Sequence, residues 1–395
     1  MYNIHSHYQK LFSFLQTILT QPRLEYLYPF GTSLPENVEV IDTKDSLDVE
    51  PVVLCYDQEP LLVGFNEPMF DMVSRRAQRL KRPVILITTE KNSDALDHFV
   101  KQYNFIPVYC FYHVFAAHDW FRGYDYDPRI IPVDKRTITR KFITFNRLTS
   151  NARNYRSIFV GELAQRGVID QGYVSYSDVC PDNQQHYRDN LQAAVDTYQL
   201  NPEYVESIVQ ALDQLRHPLR IDYSEEHSIP NHSMMLSAVE ECMQSFLHVV
   251  TETCFWDRKC HLTEKIFKPI ILRQPFVLLG CAHNLEYLKS YGFRTFDRWW
   301  NEGYDRQENP IARIHSVANI VAHICSLSNE ELADMLEEMS EVLEHNYRLF
   351  NSRAFLDGAW NELLTNLQTA VESAPVLQDW PAVRGTRRKL LTESL

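Results

Sequence analysis

Short apolar runs alternate with stretches of helical periodicity twice along this 395-residue chain. The first series contains four predicted strands, at 38–42, 51–56, 83–90 and 105–112. Between the later strands, the spacing of apolar residues predicts helices over 67–81 and 93–103. Strand–helix–strand alternation is typical of a parallel sheet covered by helices. The first third of the chain is therefore predicted to form an α/β domain.

A polar, turn-rich stretch at 122–140 is interpreted as a linker to a second series. That series predicts strands at 141–146, 172–177, 245–253 and 275–280, helices at 151–166 and 262–272, and a polar helical insertion at 181–235. Two further helices are predicted within 329–372. The fold class is therefore predicted to be α/β, with two Rossmann-like domains facing a cleft and closing C-terminal helices. The predicted domains are residues 1–134, 135–345 and a closing helix and tail at 346–395.

The composition argues against several classes of protein. The chain has 39 basic and 52 acidic residues and a net charge of −13, which argues against a surface that coats nucleic acid by charge alone. No apolar run of about 18 residues is present, so no transmembrane segment is expected. Residues 1–21 are interpreted as a helix, not a signal peptide, and the eight cysteines as reduced thiols of a cytoplasmic protein. Neither GxxxxGK[ST] nor GxGxxG occurs.

The segment 248–280 has the order strand, polar loop, helix and apolar strand. Its first strand ends near Glu252, and Thr263 is predicted to cap the following helix. The free N–H groups of that helix and the charge of Lys265 would suit a diphosphate. The carboxylate of Glu264 could take two ribose hydroxyls. The alternative interpretation is a capped surface helix with an ordinary Glu264–Lys265 pair.

A second segment, 141–163, places basic residues where a predicted strand meets a helix. The strand ends at Asn146 and Arg147, and Arg153 and Arg156 follow near the start of the helix. Arginines at such a junction can reach a phosphate. Arg153 is favoured because it lies closest to the helix start. The alternative is that these arginines are solvated on a helix face.

These two segments resemble the donor-binding domain of α1,3-fucosyltransferases and related glycosyltransferases of the GT-B fold. The resemblance covers about 141–163 and 245–295 and rests on TEKIFKPIILRQPFVLLG and FITFN. It implies that the strand–loop–helix–strand unit binds the nucleotide of a sugar donor. Glu264 and Lys265 match the family's ribose- and phosphate-binding pair, and Arg153 matches, with an offset of one residue, the arginine that holds the diphosphate. Glu252 matches a strand-end glutamate, although the family's Phe-Glu-Asn motif here reads Thr-Glu-Thr. The predicted donor-binding residues are Asn146, Arg147, Arg153, Glu252, Thr263, Glu264 and Lys265.

The N-terminal half would then supply the acceptor site and the general base. An inverting transfer needs a carboxylate that deprotonates the acceptor hydroxyl while the diphosphate leaves. Asp57 and Glu59 follow the predicted strand 51–56, and either could be that base. The alternative is a turn with exposed acids before Pro60.

Two possible metal sites are interpreted as ordinary residues. Asp125 and Asp127 resemble a DxD motif by spacing only and are predicted to be solvated in the linker. Cys254, Cys260 and His261 lack a standard zinc spacing and are predicted to be unligated. The fucosyltransferase-like group needs no DxD motif for binding. Neither a catalytic metal nor a cofactor is therefore expected.

The predicted function is an inverting glycosyltransferase that moves a sugar from a nucleotide diphosphate-sugar to a hydroxyl acceptor, with a glycan as the default acceptor. A second hypothesis is a phage-type enzyme that glycosylates a hydroxymethylated base in DNA, in the host cytoplasm. It would need base flipping and a local basic face, for which 75–82 and 135–141 are the candidates. A third hypothesis is a non-enzymatic nucleotide- or sugar-binding protein of the same fold, and a fourth is an interaction protein built on the helical C-terminal third.

Overall fold

The computed structural model describes residues 4–19, 22, 24–26, 38–40, 53–80, 83–121, 123–124, 127–219, 221, 236 and 238–374. These residues divide into two compact units. The N-terminal unit contains the described residues of 5–88, 95–110 and 362–374. The C-terminal unit contains Ile4 and the described residues of 89–94 and 111–361.

The N-terminal unit is built on a parallel five-stranded sheet. Its strands are β1 (Leu24–Tyr26), β2 (Val38–Val40), β3 (Val53–Tyr56), β4 (Ile85–Thr88) and β5 (Ile106–Tyr109), in the order β2-β1-β3-β4-β5. The helices that accompany them are α1 (Ile4–Ile18), α2 (Glu67–Leu80) and α3 (Asp94–Tyr103). The ring of Phe70 on α2 lies edge-on to Phe99 and Phe105 and forms the centre of the apolar core.

The C-terminal unit is built on a parallel four-stranded sheet. Its strands are β6 (Arg140–Asn146), β7 (Gly172–Tyr176), β8 (Ser245–Thr251) and β9 (Phe276–Leu279), in the order β7-β6-β8-β9. Every residue of β8 and β9 is buried, as expected for a parallel sheet covered on both faces.

Helices surround this second sheet. They are α4 (Tyr112–Trp120), α5 (Tyr155–Gln165), α6 (Tyr187–Tyr198), α7 (Pro202–Asp213), α8 (Val239–Gln244), α9 (Phe267–Ile271), α10 (Asn284–Ser290), α11 (Pro310–Ser326), α12 (Asn329–Glu338), α13 (Ser340–Asn351) and α14 (Arg353–Ser373). The two units divide α14 between them at residue 361. None of the described helices is both long and apolar enough to cross a membrane.

Both sheets reverse their strand order at the same place. In the N-terminal unit β1 lies between β2 and β3, and in the C-terminal unit β6 lies between β7 and β8. The second strand of each sheet is therefore on one side of the first strand, and the later strands are on the other side. Ligands of open α/β sheets bind outside the carboxyl ends of the strands at such a switch point. The carboxyl ends of β6 and β8 are therefore the place to look for a ligand site in the C-terminal unit.

The alternation read from the sequence is confirmed: an observed strand lies within each predicted one, except that β6 begins one residue before the predicted 141–146. Residues 41–42, 51–52, 81, 220 and 222–235 lie outside the described chain. Three predictions were wrong in detail. The strand over 105–112 ends at Tyr109 and α4 follows, the strand β1 was missed, and the first tail helix divides at Met339 into α12 and α13. The predicted insertion contributes α6 and α7.

The division into units departs from the predicted domain boundaries at 134/135 and 345/346, which both fall inside the C-terminal unit. The physical reason is that α4 packs with the second sheet's elements. Phe111 lies against Phe267 with ring centroids 6.0 Å apart, and Phe115 lies 5.0 Å from Trp360. These contacts place residues after Cys110 with the C-terminal unit.

Candidate functional site

Two polar residues mark the carboxyl ends of the strands at the switch point of the C-terminal unit. Asn146 ends β6 and Glu252 follows β8, and both side chains are fully buried. The Nδ2 of Asn146 donates a hydrogen bond to Thr144 (3.2 Å). Sequence analysis predicted both residues as donor-binding, and the fold brings them to neighbouring strand ends.

Glu252 ties the end of β8 to the segment that begins at Thr263. The hydroxyl of Thr263 donates to its Oε2 (2.5 Å), and the backbone N–H of Thr263 donates to Oε1 (3.3 Å). The N–H of Thr253 also donates to Oε2 (3.3 Å). Burial raises the pKa of Glu252, partly offset by the charge of Lys265. Its carboxylate therefore fixes Thr253 and Thr263, at the two ends of the loop, relative to each other.

Thr263 caps the segment as the sequence predicted, but the helix is shorter than 262–272. A 3₁₀ turn over Glu264–Ile266 comes first and α9 follows. The Thr263 Oγ1 accepts a hydrogen bond from the backbone N–H of Lys265 (3.4 Å). Glu264 and Lys265 therefore lie in the first turn, beside the strand ends.

Lys265 and Glu264 form an ion pair in which only the lysine is partly exposed. The Nζ of Lys265 lies 2.9 Å from Glu264 Oε1 and also donates to the hydroxyls of Thr263 (3.2 Å) and Thr253 (3.3 Å). The side chain of Lys265 is 30% exposed, against 5% for Glu264. Burial acts to raise the pKa of Glu264, but the charges of Lys265 and His113 outweigh it and lower that pKa to about 2. Glu264 is therefore a carboxylate at neutral pH.

Two histidines that sequence analysis did not assign to this site lie beside Glu264. The Nδ1 of His113 on α4 is 3.9 Å from Glu264 Oε2. The rings of His113 and His261 are 5.5 Å apart, and both are buried. Burial lowers the pKa of His261 well below its ordinary value, assisted by the charge of His113. His113 was missed because it directly follows the predicted strand 105–112 and no helix was predicted there.

The loop before Thr263 is fastened to residues 90–94. Lys259 and Glu90 are both fully buried, and their Nζ and Oε2 atoms are 3.1 Å apart. The backbones of Lys91 and Cys260 exchange two hydrogen bonds (3.2 and 2.8 Å). Arg258 adds an exposed ion pair with Asp94. The loop that carries the site therefore has a defined conformation before any ligand binds.

The arginines of the second segment divide into two kinds. Arg156 is buried and donates to the carbonyls of Leu148 (3.0 Å), Thr251 (2.9 Å) and Glu252 (3.0 Å), so it supports the strand ends. Arg153 lies in a 3₁₀ turn, is 26% exposed, and has its Nη1 3.9 Å from Asp182. Arg147 is half-buried after β6. Of the pair Arg153 and Arg156, Arg153 is the one that a ligand can reach.

Asp57 and Glu59, the two candidate bases, lie after β3 in the N-terminal unit. Asp57 is fully buried, and its Oδ1 accepts a hydrogen bond from the hydroxyl of Tyr8 (3.3 Å). Burial raises the pKa of Asp57 to about 7. Glu59 is half-buried. The two acids therefore differ in access to solvent, which their spacing did not reveal.

The described residues of the two possible metal motifs have other partners or are buried thiols. Asp125 lies outside the described residues, and Asp127 forms an ion pair with Arg129 (2.7 Å). Cys254 and Cys260 are buried thiols without a disulfide. Their position in the fastened loop accounts for their burial.

Comparison of this chain with protein-family models, with curated proteins and with solved structures finds no match.

Proposed function

We propose that this protein is an inverting glycosyltransferase of the GT-B type, which transfers a sugar from a nucleotide diphosphate-sugar to a hydroxyl acceptor. The observation that carries the proposal is the ordered group of Glu252, Thr263, Glu264 and Lys265 beside the switch point of β6 and β8. An ionised carboxylate and a partly exposed ammonium in one turn suit a ribose next to a diphosphate.

The roles follow from the chemistry of each group. Glu264 is ionised and so can only accept hydrogen bonds, which matches two ribose hydroxyl donors. Lys265 offers a point charge and Arg153 a planar fork to the diphosphate oxygens. Asn146 and Arg147 lie at the end of β6, the strand next to β8, and Thr263 caps the turn that Glu252 keeps in position.

The transfer would be a single displacement. The acceptor oxygen attacks the anomeric carbon, the bond from that carbon to the diphosphate breaks, and the hydroxyl proton passes to a carboxylate base. Negative charge that develops on the leaving diphosphate is stabilised by Lys265 and Arg153. We favour Glu59 over Asp57 as the base, because Glu59 is half-buried and Asp57 is fully buried. No step in this scheme uses a metal or a cofactor.

A glycan acceptor is favoured over DNA because two basic residues of 135–141 are already hydrogen-bonded within the protein. Arg136 donates to the carbonyls of Ile131, Leu272 and Arg273. Lys141 donates to Leu327 and Asn329. Because Arg136 and Lys141 are engaged within their own unit, they do not offer the free charge that phosphate contacts need, and Lys135 is the exposed cation of the stretch. A nucleotide- or sugar-binding protein without transferase activity remains the second candidate, since Asp57 has no exposed surface.

The first test is a thermal-shift screen with UDP, GDP, CDP and ADP, each with and without Mg²⁺. A ligand that binds only the native state raises its stability by mass action, so one diphosphate should raise Tm, and EDTA should leave the shift unchanged. Lys265→Ala should lose the shift while keeping the fold. Lys289→Ala is the matched control, because Lys289 is a lysine of the same unit paired with Glu302 and Asp297. An undiminished shift in Lys265→Ala would exclude the proposed donor site.

Transferase activity separates the two candidates. With the diphosphate identified, release of that diphosphate from its sugar conjugates is measured in the presence of glycan acceptors. Glu59→Gln should abolish release and retain the thermal shift. A wild-type protein that binds the donor and releases nothing with any glycan or hydroxymethylated DNA would favour the binding protein.

A further inference from the structure

Three side chains that can ligate a metal meet inside the N-terminal unit. They are His7 on α1, Asp57 after β3 and Cys110 after β5. One nitrogen, one oxygen and one sulfur atom from them all lie within 4.8 Å of one another, and all three residues are fully buried. They are far apart in sequence and form no spaced motif, so only the fold brings them together.

We propose that His7, Asp57 and Cys110 form a binding site for a zinc ion. The proposal goes beyond the glycosyltransferase assignment and does not depend on it. It concerns the N-terminal unit alone, whereas the proposed donor site lies in the C-terminal unit.

The donor set suits zinc in kind. Imidazole nitrogen, thiolate sulfur and carboxylate oxygen are the three ligand types that Zn²⁺ takes in proteins, whereas Mg²⁺ and Ca²⁺ prefer oxygen alone. The charges also balance, because one carboxylate and one thiolate match a divalent cation and the imidazole is neutral. Binding would release the thiol proton of Cys110, and any proton on Asp57, to solvent.

The distances are compatible with a common ion. Zinc bonds of about 2.0–2.3 Å arranged tetrahedrally separate ligand atoms by roughly 3–4 Å. The His7 Nε2 and Asp57 Oδ2 atoms are 3.9 Å apart. Small side-chain rotations would bring the three atoms to bonding distance. Three protein ligands leave a fourth position, which a water molecule can fill.

The surroundings of Asp57 point to a cation. Among the described residues, no other residue donates a hydrogen bond to its Oδ2, although this carboxylate is fully buried. Burying an uncompensated carboxylate is costly, and a cation removes that cost. The hydroxyl of Tyr8 donates to the other oxygen, Oδ1, at 3.3 Å, which is the kind of second contact that orients a ligating carboxylate.

A Cys-His-Asp nucleophile is a poorer interpretation of the same cluster. A nucleophilic cysteine needs a lowered thiol pKa and access to substrate. Burial raises the pKa of Cys110 well above its ordinary value, and the charge of Asp57 raises it further. Cys110 also has no exposed surface. A bound metal, in contrast, needs no open access once the protein has folded around it.

The test begins with the zinc content of the full-length protein, purified without chelators and analysed by mass spectrometry of the metal. Wild type should carry a stoichiometric amount of zinc and lose thermal stability on treatment with a strong chelator. Cys110→Ser and Asp57→Asn should lose the zinc. Cys325→Ser is the matched control, a buried cysteine of α11 in the C-terminal unit, and should keep it. Zinc retained in Cys110→Ser would assign the metal to another site and overturn the proposal.

A second measurement on wild type covers the case in which the variants do not fold. Replacement of zinc by Co²⁺ should give the near-ultraviolet charge-transfer band of a cobalt–thiolate bond. X-ray absorption at the zinc edge should show a single sulfur neighbour with nitrogen and oxygen neighbours. Zinc-free wild-type protein whose Tm does not respond to added Zn²⁺, or a metal with no sulfur ligand or several, would refute the site.

Discussion

The buried ion pair between Lys259 and Glu90 gives the sharpest prediction for the C-terminal unit. Both side chains are fully buried, and the hydroxyl of Ser93 donates to the second carboxylate oxygen of Glu90 (2.7 Å). Glu90→Gln keeps the shape of that side chain and removes its charge. Lys259 would then keep its ion pair with Asp257, which is longer, at 3.7 Å, and involves a carboxylate that is 46% exposed.

The expected cost follows from burial. Removing one partner of a buried pair costs about 3–5 kcal/mol, because it leaves an uncompensated charge inside the protein. Since Asp257 offers partial compensation, we expect the lower end, about 3 kcal/mol. The matched control is Asp94→Asn, which breaks the Arg258–Asp94 pair of the same loop. Those side chains are 58% and 62% exposed, so this loss should stay below about 1 kcal/mol.

The assay is equilibrium unfolding in urea, followed by tryptophan fluorescence and by circular dichroism. Trp256 lies in the affected loop and stacks on Tyr198, so its emission reports on this region. The double variant Glu90→Leu with Lys259→Met should recover most of the lost stability, because neither charge remains. A Glu90→Gln variant no less stable than Asp94→Asn would refute the view that this pair holds the loop.

Three further predictions concern the same unit. Gly161→Ala should cost about 1–3 kcal/mol of unfolding free energy, because a Cβ there would lie 2.5 Å from Ile208 Cγ2. In an Ile208→Ala background the same substitution should cost less, and an equal cost would show that this contact is not the cause. The lowered pKa of Glu264 should stabilise wild type over Glu264→Gln by roughly 3 kcal/mol above its unfolded-state pKa of 4.5. This advantage should shrink as the pH falls towards about 2, and a difference independent of pH in urea titrations would contradict it. Arg156→Met should cost about 2 kcal/mol, because the carbonyls of Leu148 and Thr251 lose this donor, whereas that of Glu252 keeps the hydroxyl of Tyr155. Arg153→Ala should change stability by less than about 0.5 kcal/mol and reduce the diphosphate-induced Tm shift, and equal stabilities of the two variants would contradict this division.

The strands were predictable because parallel, buried strands are short apolar runs with turn residues around them. The same property concealed α4. Residues 105–117 are almost continuously apolar, and the first six residues of α4 are all buried. An apolar run has no polar face to reveal a period of 3.6, so a buried helix and a buried strand look alike. The three-residue strand β1 was missed because it is too short to produce a period.

The part of the candidate site that is contiguous in sequence was predictable. Thr263, Glu264 and Lys265 stand in one turn, and a cap, a carboxylate and a cation can be read from their order alone. Their partners were not predictable in this way. Glu90 and His113 reach the loop from segments about 150 residues away or more, and no local pattern marks such a contact. The burial of Asp57 is likewise a property of the packed sheet and not of its neighbours in sequence.

The shared topology of the two sheets explains why both units collect ionisable side chains at one edge. Parallel strands direct all their carboxyl ends to the same side, and the loops there are where residue identity is least constrained by the sheet. In the C-terminal unit these positions hold Glu252 and Glu264, and in the N-terminal unit they hold Asp57 and Cys110. The two groups differ in the side chains that surround each carboxylate. The partly exposed Lys265 keeps the buried Glu264 charged, whereas Asp57 is buried with a histidine and a thiol, a set that a metal ion would satisfy. The topology therefore explains where both candidate sites lie, and the side chains decide what each could bind.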